Sequence, residues 1–271
     1  MTLLNHALRA GRSTRPEAID ARQQAVVLVA GGGGALGSAV LEALLGGRDF
    51  AQVKVLATRQ LTVAMHGLTP VVVDGLGTLP SLSAQAHALA EIALVVFDRE
   101  RHVNGRELAF VRPQPHELLQ LAQWLHAHGV RRLIVVLPHT PAGLPDALKR
   151  GLANLDEQSV AALGFEHLVF VRSAQAPSST RAREWLQRLA DGVLAQLRMM
   201  VASANQPVRA GKVAQFVREL AALLPASAPG TRIAPPELVW QAAQLRDPKP
   251  LLQAWLAGQE LPPVHAPRRR L

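Results

Sequence analysis

The sequence contains no cysteine and no tyrosine, and aromatic residues make up only 4% of its 271 positions. Without cysteine there can be no disulfide, no thiol nucleophile and no cysteine-ligated metal, a composition that fits a reducing cytoplasm. No apolar run approaches the ~20 residues of a membrane-spanning helix, so no membrane partner is expected. No Ser-His-Asp order and no His-Glu-x-x-His spacing occurs, which removes support for hydrolase and metalloenzyme readings. Basic residues outnumber acidic ones by 29 to 20, for a net charge of +9. That balance favours anionic partners, a phosphorylated cofactor among them. Scarce aromatics and the lack of any reading motif argue against nucleic acid as the anion. Apolar residues reach 49% and charged residues only 18%, enough for a large core in a chain of this length.

What the sequence has is one strongly patterned stretch. Val26-Val27-Leu28-Val29-Ala30 reads as a strand buried on both faces. Gly31-Gly32-Gly33-Gly34 then removes every side chain at a turn, and Ala35-Leu36-Gly37 follows. Beyond it Val40, Leu41, Leu44 and Leu45 form one stripe of an amphipathic helix that Gly46-Gly47 stops. Strand, glycine turn and helix together form the setting in which a glycine pattern implies a dinucleotide site. A diphosphate approaches backbone only where no Cβ intervenes, and the N–H groups and dipole of the helix N-terminus attract it. Two registers fit, Gly32-x-Gly34-x-x-Gly37 and Gly31-x-x-Gly34-x-x-Gly37, and the alternative is a glycine-rich turn without a ligand. The predicted cradle is Gly31, Gly32, Gly33, Gly34, Ala35, Leu36 and Gly37.

The rest of the chain alternates strands with helices. Residues 1–24 carry Arg9, Arg12, Arg15 and Arg22 and are expected to be a terminal extension, followed by one nucleotide-binding domain over 25–271. A second strand covers Val53-Lys54-Val55-Leu56-Ala57-Thr58, with Arg59 at its end. An acidic residue about 20 positions beyond the glycines selects NAD, whereas an arginine accommodates the 2′-phosphate of NADP. No Asp or Glu occurs between Phe50 and Met65. Thr58 and Arg59 are therefore expected at the adenosine ribose, with NADP preferred over NAD; the alternative for Arg59 is a solvated strand end. A third strand, Pro70-Val71-Val72-Val73, ends in Asp74, which lies near the adenine or simply makes the turn.

A fourth strand spans Ala93–Phe97. The charged stretch Asp98-Arg99-Glu100-Arg101-His102-Val103-Asn104-Gly105-Arg106 after it either covers a ligand or is a solvated loop, and its individual charges are read as solvated. Further strands are expected at Arg132–Leu137 and His167–Val171, with helices at about 115–128 and 145–163. From about residue 177 the periods are helical, at 185–197, 213–224, 237–244 and 251–256. The expected fold is a doubly wound parallel sheet of the Rossmann type with a C-terminal helical part.

Gly31-x-x-Gly34-x-x-Gly37, Val55-x-x-x-Arg59, Val72-Val73-Asp74 and Gly129-Val130-Arg131-Arg132-Leu133-Ile134-Val135 resemble the atypical short-chain dehydrogenases/reductases. The likeness runs over roughly residues 25 to 175 and is closest to the NmrA-like and epimerase-like branch. It implies a Rossmann sheet, NADP(H) in the crevice and a small substrate region toward the C-terminus. The family's catalytic tyrosine, followed four residues later by a lysine, has no counterpart: Lys149 stands near the equivalent place, but Pro145 precedes it by that spacing. The remaining candidates for the proton are His139 and Thr140 after the fifth strand, Ser173 after the sixth, or water; the alternative for His139 is a turn residue. Two functions stay open. One is an oxidoreductase acting on a small molecule with an unusual proton source. The other is a non-catalytic dinucleotide sensor or regulatory binder that acts through a protein partner.

Overall fold

The computed structural model describes residues 25–61, 67–74, 76, 88–98, 107–137, 157–172 and 208–259. Seven strands form one sheet: β1 (Val26–Ala30), β2 (Gln52–Ala57), β3 (Leu68–Val72), β4 (Ile92–Val96), β5 (Arg132–Leu137), β6 (His167–Arg172) and β7 (Gly230–Ala234). Their order is β3-β2-β1-β4-β5-β6-β7, and every neighbouring pair is parallel. The expected Rossmann-type sheet is therefore present. Strand order reverses direction between β1 and β4, and ligand crevices of such sheets open at the carboxyl ends of the strands at this point.

The central strands read as unbroken apolar runs because both their faces are covered. Val27 and Val29 point to one layer, Leu28 and Ala30 to the other, and all four are buried. The first layer holds α1 (Gly34–Gly46), α3 (Ala210–Leu223), α4 (Pro236–Gln244) and α5 (Lys249–Leu256). The second is built on α2 (Leu118–Ala127), whose Leu121, Ala122 and Leu125 meet Leu28, Val95 and Leu133. Gly129, at φ +83°, turns the chain after α2, as its position in the sequence implies. α3 lies against α1 through Val213, Phe216, Val217 and Leu220, and Arg218 Nε donates to Asp49 Oδ2 at 2.7 Å just beyond the end of α1. None of the helices among the described residues is long and apolar enough to cross a membrane.

Two elements differ from the sequence expectation. Residues 230–234 form β7 in the part of the chain expected to be mostly helical. This strand lies at the edge of the sheet with Thr231 and Ile233 exposed, so it lacks the apolar run that marked the inner strands. β3 starts at Leu68 and passes through Pro70. Val53 N donates to Gly67 O and Val73 N to Ala57 O, so the odd-numbered N–H groups face β2. The missing N–H of Pro70 thus falls on the open edge, where the ladder does not need it. The helix expected over 145–163 is described only from residue 157, and that over 185–197 lies outside the described residues.

His167 opens β6 and is fully buried, at 0% exposure. A carbonyl can only accept, so Nε2–H donates to Ser227 O at 3.2 Å. Burial lowers the imidazole pKa from its ordinary 6.5, against the opposing pull of the Ser227 bond and Glu166, with Arg132 and Arg232 adding to the lowering. The unfolded chain therefore takes up this proton first. The contribution of neutral His167 is complete above about pH 6.5 and declines as pH falls from there toward the lower folded-state value. Urea unfolding at pH 7.5 and 5.5 is expected to show a lower midpoint at the acid value, and the His167→Gln protein to show a smaller difference between the two. In the core, Phe216→Ala is expected to lower unfolding free energy by roughly 3–5 kcal/mol, because a residue 1% exposed leaves a cavity between α1 and α3; the same urea titration measures it.

Candidate functional site

β1 runs into the turn Gly31–Gly33, and α1 begins at Gly34. Gly31 has φ +93° and Gly34 has φ +74°, conformations that residues with a Cβ rarely adopt. The glycines are not equivalent. A β-carbon at Gly31 would collide with the Val96 carbonyl oxygen on β4, and one at Gly37 with the carbonyl oxygen of Gly31. At Gly32 it would press into Leu41 Cδ1 at 2.8 Å and Val55 Cγ2 at 2.9 Å. These three glycines are accounted for by the packing of α1 on β1, β2 and β4, with no ligand invoked.

Gly34 is different, because what stands beside it is a carboxylate. A β-carbon there would lie 2.5 Å from Asp98 Oδ2 and 2.9 Å from Asp98 Cγ. Asp98 follows the end of β4, and its Oδ2 accepts the backbone N–H of Leu36 at 2.8 Å. Gly33, the residue preceding α1, has no side chain with which to cap it. A side chain 62 positions away in sequence therefore caps the helix. The half-buried Arg112 holds the backbone beneath this carboxylate, its Nη2 donating to Asp98 O at 3.1 Å.

Residues 107–113 complete the floor. Thr58 N donates to Ala109 O at 2.7 Å and Val111 N to Leu56 O at 3.0 Å, with Ala57 and Phe110 forming an antiparallel bridge. The Thr58 hydroxyl also donates to Ala109 O at 3.3 Å. This segment takes up the N–H and C=O groups at the end of β2, which β1 leaves unpaired by turning away into the glycines. Phe110 reaches over Gly32, with Cδ1 3.5 Å from where a β-carbon would be, and Pro113 Cδ stands 3.3 Å from the equivalent point at Gly31.

The residues expected to hold a dinucleotide are thus gathered at the carboxyl ends of three adjacent strands. Gly31, Gly32, Gly33, Gly34, Ala35, Leu36 and Gly37 follow β1, the exposed Thr58 and Arg59 follow β2, and the exposed Asp74 follows β3. Ala35 is exposed in the first turn of α1. His139, Thr140, Ser173 and Lys149 lie outside the described residues. At the end of β6, Arg172 Nη2 donates to both carboxylate oxygens of the buried Glu157, at 3.1 and 3.2 Å. Sequence reasoning missed Asp98, Phe110, Arg112 and Glu157 as parts of this edge. Asp98 was read with its neighbours as a solvated loop charge; the structure instead puts it on the helix N-terminus. The one available signal was its place immediately after a buried strand next to the glycine turn.

No family model and no curated protein matches the chain. Solved structures do. The Bordetella bronchiseptica enzyme WbmF in complex with NAD+ is 13% identical, with a TM-score of 0.47, covering 92% of this chain and 83% of that one. A short-chain dehydrogenase from Leptospira borgpetersenii with bound NAD+ is 12% identical, with a TM-score of 0.45 over 79% of this chain and 92% of its own. UDP-N-acetylglucosamine 4-epimerase from Bacillus cereus is 14% identical, with a TM-score of 0.43 over 88% and 86%. Likeness at this level is weak, and the Rossmann-type fold stands on the strand order itself. Where these structures name a cofactor it is NAD+ or, in a second WbmF complex, NADH. The cofactors so named run counter to the expectation of NADP over NAD. Arg59 itself is exposed at the end of β2 and has an interaction partner within the chain.

Proposed function

We propose that this protein binds NAD(H) at the turn between β1 and α1 and serves as a dinucleotide-responsive binding module. The observation that supports the reading is the carboxylate on Leu36 N. It marks the N-terminus of α1 as a receptor for an anionic oxygen, at the strand crossover of a Rossmann sheet, with a glycine beside it that leaves room for one. The donor set suits a diphosphate: the N–H groups of the first turn of α1, the helix dipole and the nearby Arg112. Thr58, Arg59 and Asp74 stand where the adenosine end would lie. When bound, the nicotinamide ring would supply hydride chemistry.

What this chain's residues can add to that chemistry is limited. It has no tyrosine anywhere, so the phenolic proton donor of the family it resembles is absent. General acid assistance contributes typically 10²–10⁴-fold, and without it hydride transfer to an unactivated carbonyl is slow. The binding-module reading therefore takes precedence over an oxidoreductase that would draw its proton from His139, Thr140, Ser173 or water.

Calorimetric titration with NAD+ and NADH tests the site. Saturable binding at one site is expected, and Ala35→Glu is expected to weaken it roughly tenfold by placing a like charge beside the diphosphate. The same substitution should leave thermal stability unchanged or slightly higher, since an acidic residue in the first helical turn complements the dipole. Absence of binding to the wild-type protein would remove the reading. Turnover is tested separately with NADH and a panel of simple aldehydes and ketones, on which no measurable reduction is expected. Brisk reduction of an unactivated ketone would restore the oxidoreductase assignment, and loss of that rate in His139→Ala or Ser173→Ala would identify the proton source.

A further inference from the structure

The site as folded already contains an anion. We infer that Asp98 is a built-in competitor for the dinucleotide diphosphate, a carboxylate that must leave the N-terminus of α1 before the ligand can enter. The inference rests on the dinucleotide reading above and adds a regulatory step to it.

Three observations carry it. Asp98 Oδ2 takes the Leu36 N–H at 2.8 Å, a donor that a bound diphosphate would use. Its carboxyl group fills the space beside Gly34, with Oδ2, Cγ and Cβ at 2.5, 2.9 and 3.3 Å from the point where a β-carbon would stand. Of Gly31, Gly32, Gly34 and Gly37, it is the one whose empty side faces a polar side chain and not backbone or apolar side chains. Finally, the backbone at this point is fixed while the side chain is the part that can turn. Phe97 N donates to Val136 O at 3.0 Å, and Asp98 O accepts from Arg112 Nη2 at 3.1 Å. The backbone that carries the carboxylate is thus held both to β5 and to Arg112.

A carboxylate and a diphosphate cannot share one N–H and one volume, and two anions in contact repel. Binding is then an exchange, in which the apparent dissociation constant is the intrinsic one divided by the fraction of molecules whose Asp98 has withdrawn. The internal anion also gives the Leu36 N–H a partner when no ligand is present.

The test compares wild type, Asp98→Ala and Asp98→Asn by equilibrium titration with NADH and, separately, with adenosine, which has no phosphate. Asp98→Ala is expected to bind NADH at least tenfold more tightly than wild type, with adenosine affinity unchanged. Asp98→Asn keeps the volume and an oxygen for Leu36 N but loses the charge, so an intermediate gain is expected. It also settles the matter should the alanine protein fail to fold. Without ligand, Asp98→Ala should melt at a lower temperature than wild type, because the helix loses its cap, and NADH should offset the difference. Equal NADH affinity in wild type and both variants would overturn the competitor while leaving the dinucleotide site standing. Weaker NADH binding by the variants would make Asp98 a ligand contact and overturn it likewise. Binding of NADH by none of the three proteins would overturn the dinucleotide reading, and the exchange with it.

Discussion

Backbone against backbone is the constraint on which this structure rests. The carbonyl oxygen of Gly31 sits where a side chain at Gly37 would project, and the carbonyl oxygen of Val96 sits where one at Gly31 would. Three elements, β1, α1 and β4, are thereby drawn as close as polypeptide allows. The distance sets everything above it: the first turn of α1 opens at the strand ends, and Asp98, two residues beyond β4, comes within hydrogen-bonding reach of it. A methyl group at either glycine would separate the helix from the sheet, and the cap supplied from β4 would no longer span the gap.

The parts of the molecule that were legible in the sequence are those whose cause is local. Val26–Ala30 and Ile92–Val96 are apolar without alternation because both faces are covered, and runs of that kind mark inner strands wherever they occur. The stripe of Val213, Phe216, Val217 and Leu220 likewise announces a helix with one buried face. β7 was not legible, since an edge strand with Thr231, Arg232 and Ile233 presents no such run. The contact between Asp98 and Leu36 was out of reach for a different reason. It joins residues 62 positions apart, and no periodicity encodes which loop charge will face which helix end. The glycines were found but their roles were not separable: close packing and ligand approach demand the same residue, and only the neighbours of each absent side chain tell them apart. Arg59 shows the same limit, its position readable and its engagement with the rest of the chain not.

Fold and chemistry are carried by different residues here. The two apolar layers and the glycine turn specify the sheet, and nothing in them requires the loops at the strand ends to be reactive. A chain can thus keep the whole scaffold while lacking tyrosine altogether. What the strand ends contain among the described residues includes several groups that satisfy one another. Residues 109–111 pair with the exposed end of β2, Arg172 engages the buried Glu157, and Asp98 caps α1. Such an edge is stable without a ligand, and it exchanges internal partners for external ones instead of filling a void.

The two outermost strands bear on how the protein behaves at high concentration. A parallel sheet ends in rows of unused N–H and C=O groups, templates on which another chain can add edge to edge. On one side Pro70 interrupts that row at the middle of β3, leaving no donor where an incoming strand would look for one. On the other, the sequence confines β7 between Pro229 and Pro235, so the exposed ladder around Ile233 is only five residues long. Proline at both borders limits growth of the sheet into fibrils, and it leaves the short β7 ladder as the margin more open to self-association.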